Sequence, residues 1–305
     1  MNLKNILITG GSGMIGERLT DQLLQRGYHV SHLGRTKSNG KVATYVWNID
    51  RNYIDPDALR NVDAIVHLAG ANIGEKRWTR KRKKKILDSR IDTTRLLYNE
   101  LKKGPHSVKT IVCAAGSSYY GLDNGGKAAE EDDKPGDDFL AIVCQLWERE
   151  LNKFGELALR VVKLRAAIVL SPKGGALKKM KKPIELYAGA VLASGSQFMT
   201  WIHIDDHCGI IIKALEDPSM EGAYNSGSPN PVTNEQFTKE MASVLHRPII
   251  LPHAPAFILR MVFGEMASLV LNGIRLSPEK IIRAGYTFKF LRIREALVDL
   301  LAKKE

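Results

Sequence analysis

"LITGGSGMIG", residues 7–16, sets an apolar run directly against four glycines. Its flanks say what it joins. NILIT (5–9) reads as a buried strand, IGERLTDQLLQR (15–26) as an amphipathic helix closed by Gly27, and YHVSHLG (28–34) as a second strand. This is one βαβ unit. The rhythm continues through ATYVWNI (43–49), AIVHLAG (64–70), a long helix over 78–103, VKTIVCAAG (108–116), a helix over 138–153, and LALRVVKLRAAIVL (157–170). Strands alternating with helices imply a parallel sheet covered on both faces.

Within the turn, the glycines fit G-x-G-x-x-G (Gly11, Gly13, Gly16) and G-x-x-G-x-x-G (Gly10, Gly13, Gly16) alike. An early glycine makes the tight turn, Gly13 removes a side chain so that a pyrophosphate reaches the helix tip, and Gly16 lets helix and strand pack closely. Following a strand and opening a helix, the pattern indicates dinucleotide binding. Which dinucleotide is set at the end of the second strand. HLGRTKSN (32–39) offers Arg35 and Lys37 and no carboxylate, and a guanidinium pairs with a 2′-phosphate, so NADP(H) is expected. The fold expectation is therefore a Rossmann-type doubly wound α/β domain over 1–172. A smaller, mostly helical lobe over 173–305 binds substrate, and residues 200–228 lend the last strand or strands.

Composition narrows the rest. The chain of 305 residues is 44% hydrophobic with a formal charge of +12, which suits an anionic partner. Cys113, Cys144 and Cys208 are too widely spaced for a disulfide framework or a metal site, which suits a reducing cytoplasm. Neither a leader nor a membrane span is expected. The basic run RWTRKRKKK (77–85) opens a helix whose Ile86, Ile91, Leu96 and Leu97 point inward. A solvated face is its ordinary reading, with an anionic substrate at Arg77 or at Lys178, Lys179, Lys181 and Lys182 second and nucleic acid last.

TGGSGMIG, HLAGANI (67–73), RWTRKRKKKILDSRIDTTRLL (77–97), SYYG (118–121), SQFMTWIHIDD (196–206) and YNSGSPNPVTNEQFTKEMASVLHRP (224–248) follow one another in order. With FGEMASLVLNG (263–273) and the Pro278–Phe288 run, they resemble the extended short-chain dehydrogenase/reductase superfamily, in its NAD-dependent epimerase/dehydratase, sugar-nucleotide epimerase-like branch. The resemblance implies cofactor contacts from Ser12, Met14 and Ile15 at the phosphates, Ile49 and Asp50 near adenine, and Leu68, Ala69 and Gly70 along the ribose and nicotinamide. It also implies a dimer built on helices flanking the sheet.

One departure stands out. The superfamily's Tyr-x-x-x-Lys pair maps onto Leu140 and Cys144 of FLAIVCQLWERE (139–150), which cannot move that proton. The chain's Tyr98 and Lys102 have the spacing, but on the preceding helix. Ser117, Ser118, Tyr119 and Tyr120 lie just past the fifth strand: Ser117 can polarise a carbonyl, Tyr120 can act as acid beside a cation or pack at the nicotinamide, and Ser118 can touch substrate. Trp201 falls on a segment that in extended members lines the substrate pocket. His203 is either an acid/base or a satisfied core histidine, and Asp205 and Asp206 are expected to cap the next helix. Two functions fit: an NADP-dependent oxidoreductase or epimerase acting on a hydroxylated, anionic substrate, nucleotide-linked or otherwise phosphorylated, or an NADP(H)-binding protein that senses or supports a partner without turnover.

Overall fold

The computed structural model describes residues 3–302; residues 1 and 2, where the segment read as leaderless begins, lie outside them. β1 (Asn5–Thr9) leads into α1 (Met14–Gln25), followed by β2 (His29–Gly34), β3 (Thr44–Asn48), β4 (Tyr53–Ile54), β5 (Ala64–His67), α2 (Arg80–Lys102), β6 (Thr110–Cys113) and α3 (Phe139–Asn152). The central sheet has eight strands. From one edge their order is Gly222–Ser226, Arg160–Ala166, β6, β5, β1, β2, β3, β4. Every neighbouring pair is parallel except β3 with β4.

Alternation along the strands fills two layers, with Ile6, Ile8, Val66 and Val112 facing one core and Leu7, Ile65 and Ile111 the other. Chain order reverses at β1, and that reversal opens a crevice beyond the carboxyl ends of the strands.

Two features differ from the sequence reading. β4 is a two-residue antiparallel edge that no apolar run announces. The single run 157–170 breaks into Arg160–Ala166, inside the sheet, and Ile168–Leu170, which pairs with Trp201–His203 instead. The switch comes at Ala167, whose N–H donates to Ser226 while that of Ile168 donates to Thr200.

The later helices include α4 (Gly175–Glu185), α5 (Ile204–Glu216), α6 (Asn234–Val244) and α7 (Ala256–Phe263). His203, rather than the two aspartates after it, is the N-cap of α5, its Nδ1 accepting from the Asp205 N–H at 3.0 Å. Asp206 is fully buried. Its carboxylate accepts from the N–H of Lys289 at 2.8 Å, the N–H of Phe290 at 3.1 Å and the Tyr286 hydroxyl at 3.0 Å, tying the carboxyl-terminal module to α5. Asp205 instead takes the Arg18 guanidinium.

Buried histidines make stability acid-sensitive. His207 on α5 lies 2.8 Å from Ser226 through Nδ1, and burial pushes it down to about 4. Between its ordinary value near 6.5 and that lowered value, the unfolded chain takes up a proton that the folded chain refuses, so stability falls as pH falls. His207→Gln is expected to remove about 1.4 kcal/mol per pH unit of this loss, read by denaturant titrations at pH 6 and pH 5.

Candidate functional site: the β1–α1 crevice

Glycine geometry builds the crevice. Gly10 adopts φ +71°, and a Cβ there would stand 3.0 Å from the Ala69 nitrogen. At Gly16 a Cβ would meet the Gly10 oxygen and the Gly11 Cα at 2.6 Å, so helix and turn touch through bare backbone. Gly13 is the exposed N-cap of α1, and no side chain fills its place. The first-turn amides of Met14 and Ile15 have no intrahelical acceptor and carry the positive end of the helix dipole. Exposed Ser12 borders them, while the Met14 side chain runs under Gly174 and Gly175 at the start of α4. The residues present fit a dinucleotide pyrophosphate: bare backbone, free donors and no competing carboxylate cap.

At the ends of the neighbouring strands, Arg35 is exposed just past β2, with no ion pair or hydrogen bond among the described residues. Half-buried Ile49 and exposed Asp50 follow β3. After β5, the amides of Leu68 and Ala69 both donate to the Thr9 hydroxyl at 3.2 Å, and exposed Gly70 follows. Below them Thr9 meets His67 Nδ1 at 2.8 Å, His67 Nε2 meets Thr94 at 3.1 Å, and the Trp147 indole donates to Thr94 at 3.0 Å. Burial holds His67 down at about 3, so it stays neutral and serves the scaffold.

Past β6, Ser117, Ser118, Tyr119 and Tyr120 form one 3-10 turn. The Tyr120 hydroxyl donates to Asn225 Oδ1 at 2.8 Å and accepts from Arg165 at 2.9 Å, and burial pushes its phenol up to about 12. Tyr120 is thereby fixed as a neutral buried group. Arg165 forms a two-pronged pair with buried Glu148, Nε to Oε1 at 2.8 Å and Nη2 to Oε2 at 2.9 Å, and stacks its guanidinium 3.4 Å from the Tyr119 ring centre.

Next to the turn, a cleft of about 390 Å³ opens between Trp78, Tyr120, Phe139, Glu265 and Asn272. Arg77 is exposed and lies against Gly264, close to this opening.

Other residues do not reach the cluster. Trp201 is fully buried with its indole donating to the Asn230 carbonyl at 3.0 Å, which leaves it no face for substrate. His203 is buried, stacked 3.8 Å from the Phe290 ring and within 3.2 Å of Asp299. Leu140 and Cys144 are buried, and burial pushes the Cys144 thiol up to about 12, so it is no base. Tyr98 donates to Glu156 at 2.7 Å, while Lys102 lies over the tyrosine ring, 5.6 Å from its centre. Of the basic run, Arg82 turns inward, Lys83 pairs with Glu265 and Lys84 with Asp88. No helix of the described residues is long and apolar enough to cross a membrane.

Sequence reasoning missed Arg90, Glu148, Arg165 and Asn225. For Arg90 a signal existed: it shares a helical face with Ile86 and Leu97, an arginine inside an apolar stripe.

Residues 6–227 match the model of the NAD dependent epimerase/dehydratase family. The chain belongs to that family. Residues 254–300 match a domain of unknown function, DUF1731, which in this epimerase/dehydratase-family chain includes the Asp206-bound segment. An epimerase family protein of Bacillus subtilis (strain 168), YfhF, is 35% identical, with 99% of each chain covered. The crystal structure of the human epimerase family protein SDR39U1 (isoform 2) with NADPH superposes with a TM-score of 0.86 at 32% identity, covering 97% of this chain and 98% of that one. A nucleoside-diphosphate sugar epimerase from Corynebacterium glutamicum gives a TM-score of 0.79 at 28% identity, covering 98% of this chain and 58% of the other. Proteins of this family bind NAD(P).

Proposed function

We propose that the protein binds NADP(H) in the β1–α1 crevice and works as an oxidoreductase or epimerase on a hydroxylated small molecule of nucleotide-sugar type. The observation that carries this reading is the glycine-lined, uncapped tip of α1 with exposed Arg35 at the end of β2 and no carboxylate there. The human relative solved with NADPH and the Corynebacterium relative named for sugar nucleotides support it.

Bound nicotinamide supplies a hydride acceptor or donor at its C4 carbon. This chain's residues do the rest. Gly10, Ser12, Gly13, Met14, Ile15 and Gly16 hold the phosphates, Arg35 pairs with the 2′-phosphate, Ile49 and Asp50 flank adenine, and Leu68, Ala69 and Gly70 line the inner half. Ser117 polarises the reacting oxygen, with Ser118 beside it, and Tyr120 holds their turn in place. Arg77 offers a cation to an anionic substrate group near the cleft. The free, buried thiols of Cys113, Cys144 and Cys208 suit a reducing cytoplasm.

A second reading, an NADP(H)-binding protein without turnover, is favoured by one observation. Neither Leu140 nor Cys144 can exchange a proton near neutrality, and the Tyr120 phenol is held up at about 12. A panel of nucleotide sugars and small carbonyl compounds, followed at the nicotinamide absorbance band and by product analysis, separates the two: turnover selects the enzyme, tight binding without turnover the second reading.

The cofactor preference has its own check. Arg35→Asp is expected to weaken NADPH relative to NADH by about 1 to 3 kcal/mol, measured as a ratio of dissociation constants. An unchanged ratio removes Arg35 from the proposal.

A further inference from the structure

Among the described residues, Arg90 is a cation with no counterion. It sits on α2, part-buried, with its guanidinium under the loop that leaves β5. Nη1 donates to the carbonyls of Ala71 at 3.2 Å and Ile86 at 3.0 Å, and the plane lies 5.3 Å from the Trp147 ring centre. These bonds use one nitrogen. Nε and Nη2 have no hydrogen-bond partner, and no carboxylate pairs with Arg90, among the described residues. Burial accordingly lowers its pKa, with neighbouring Arg82 lowering it further. Neither nitrogen is among the buried unpartnered atoms, so both stay open to acceptors from outside the chain.

The surroundings indicate where such acceptors come from. A Cβ on Gly70 would stand 3.2 Å from Arg90 Cζ and 3.4 Å from Nη2, so the guanidinium packs directly against the bare backbone of Gly70, the last of the loop residues assigned to the cofactor. Cys144, at the position where the superfamily's pair has its lysine, is close enough for the Arg90 charge to act on its thiol, as is Cys113 at the end of β6. Arg90 thus stands at the β5–β6 side of the sheet reversal. With the phosphates at the α1 tip and the 2′-phosphate at β2, that side takes the nicotinamide half of a dinucleotide.

We propose that Arg90 binds the ribose hydroxyls of the nicotinamide half, supplying from α2 the cation that the Tyr-x-x-x-Lys pattern supplies from α3. This rests on the cofactor reading above. Leu140 and Cys144 are then a relocation of the cation: the thiol fills the lysine's space, and the charge arrives from the neighbouring helix α2. Arg90 is a cofactor-binding and positioning residue, with no part in breaking bonds.

Two probes test it. NADPH carries the nicotinamide half, whereas adenosine 2′,5′-bisphosphate ends before it. In calorimetric titrations Arg90→Ala is expected to weaken NADPH at least about tenfold and to leave adenosine 2′,5′-bisphosphate unchanged. Arg90→Lys, which keeps the charge without the fork, is expected to fall between wild type and alanine, and it carries the comparison should the alanine variant fail to fold. Equal weakening of both probes, or of neither, in a folded variant overturns the inference while leaving the cofactor reading intact. Wild-type protein that binds neither probe overturns the cofactor reading and this inference together.

Discussion

Gly13→Glu is expected to abolish dinucleotide binding and leave the fold standing. The backbone at Gly13 is extended, with φ −81° and ψ 165°, a conformation open to any residue. A Cβ there approaches only the Gly10 oxygen, at 3.3 Å. The added carboxylate then lies over the helix tip, takes the amides of the first turn for itself, and repels a pyrophosphate. The dissociation constant for NADPH should rise at least about 100-fold, or about 2.7 kcal/mol, while the melting temperature hardly moves. Gly16→Val provides the contrast, since its side chain would start 2.6 Å from the Gly10 oxygen and unsettle the turn itself. Affinity retained in Gly13→Glu would place the phosphates elsewhere and remove the basis of the functional proposal.

The second large effect concerns folding. Glu148→Ala strips Arg165 of its only paired carboxylate among the described residues while its side chain stays 4% exposed, held by the Tyr120 hydroxyl and the Glu131 carbonyl. Breaking a buried pair on one side costs about 3 to 5 kcal/mol, because the orphaned charge has no water to return to. Chemical denaturation should register that loss. Replacing both partners, Glu148→Leu with Arg165→Met, should recover part of it, since only Lys163, 3.8 Å from Glu148 and also bonded to Asn152, then loses a carboxylate. A single variant as stable as wild type would mean that solvent reaches the pair. The pair also fixes Tyr119 and Tyr120, so the single variant should loosen the serine-bearing turn along with the core.

What could be read from the chain divides along the range of the forces involved. The βαβ unit at 5–34 was legible because its signals are local: glycine spacing, an apolar run, a helical stripe and Gly27 at the stop. α2 and its inward Ile86, Ile91, Leu96 and Leu97 followed from periodicity, and all four are buried. Trp201 and His203 show the limit. Alternation in TWIHIDD marks a strand but not which face meets solvent, and the contacts with Asn230, Phe290 and Asp299 that enclose them come from distant segments. Glu148 and Arg165 are 17 residues apart and meet only through the sheet. β4 had too few residues for any period to appear, and the partner exchange at Ala167 depends on Ser226 and Thr200, which no local pattern around 157–170 contains.

The three-fold clasp of Asp206 on the 286–290 segment bears on how this architecture can be cut and inherited. A portion severed near residue 253 would part the Asp206 carboxylate from the two amides and the phenol that hydrogen-bond it. Recombination between relatives should therefore preserve the aspartate and its distant loop as one hereditary unit.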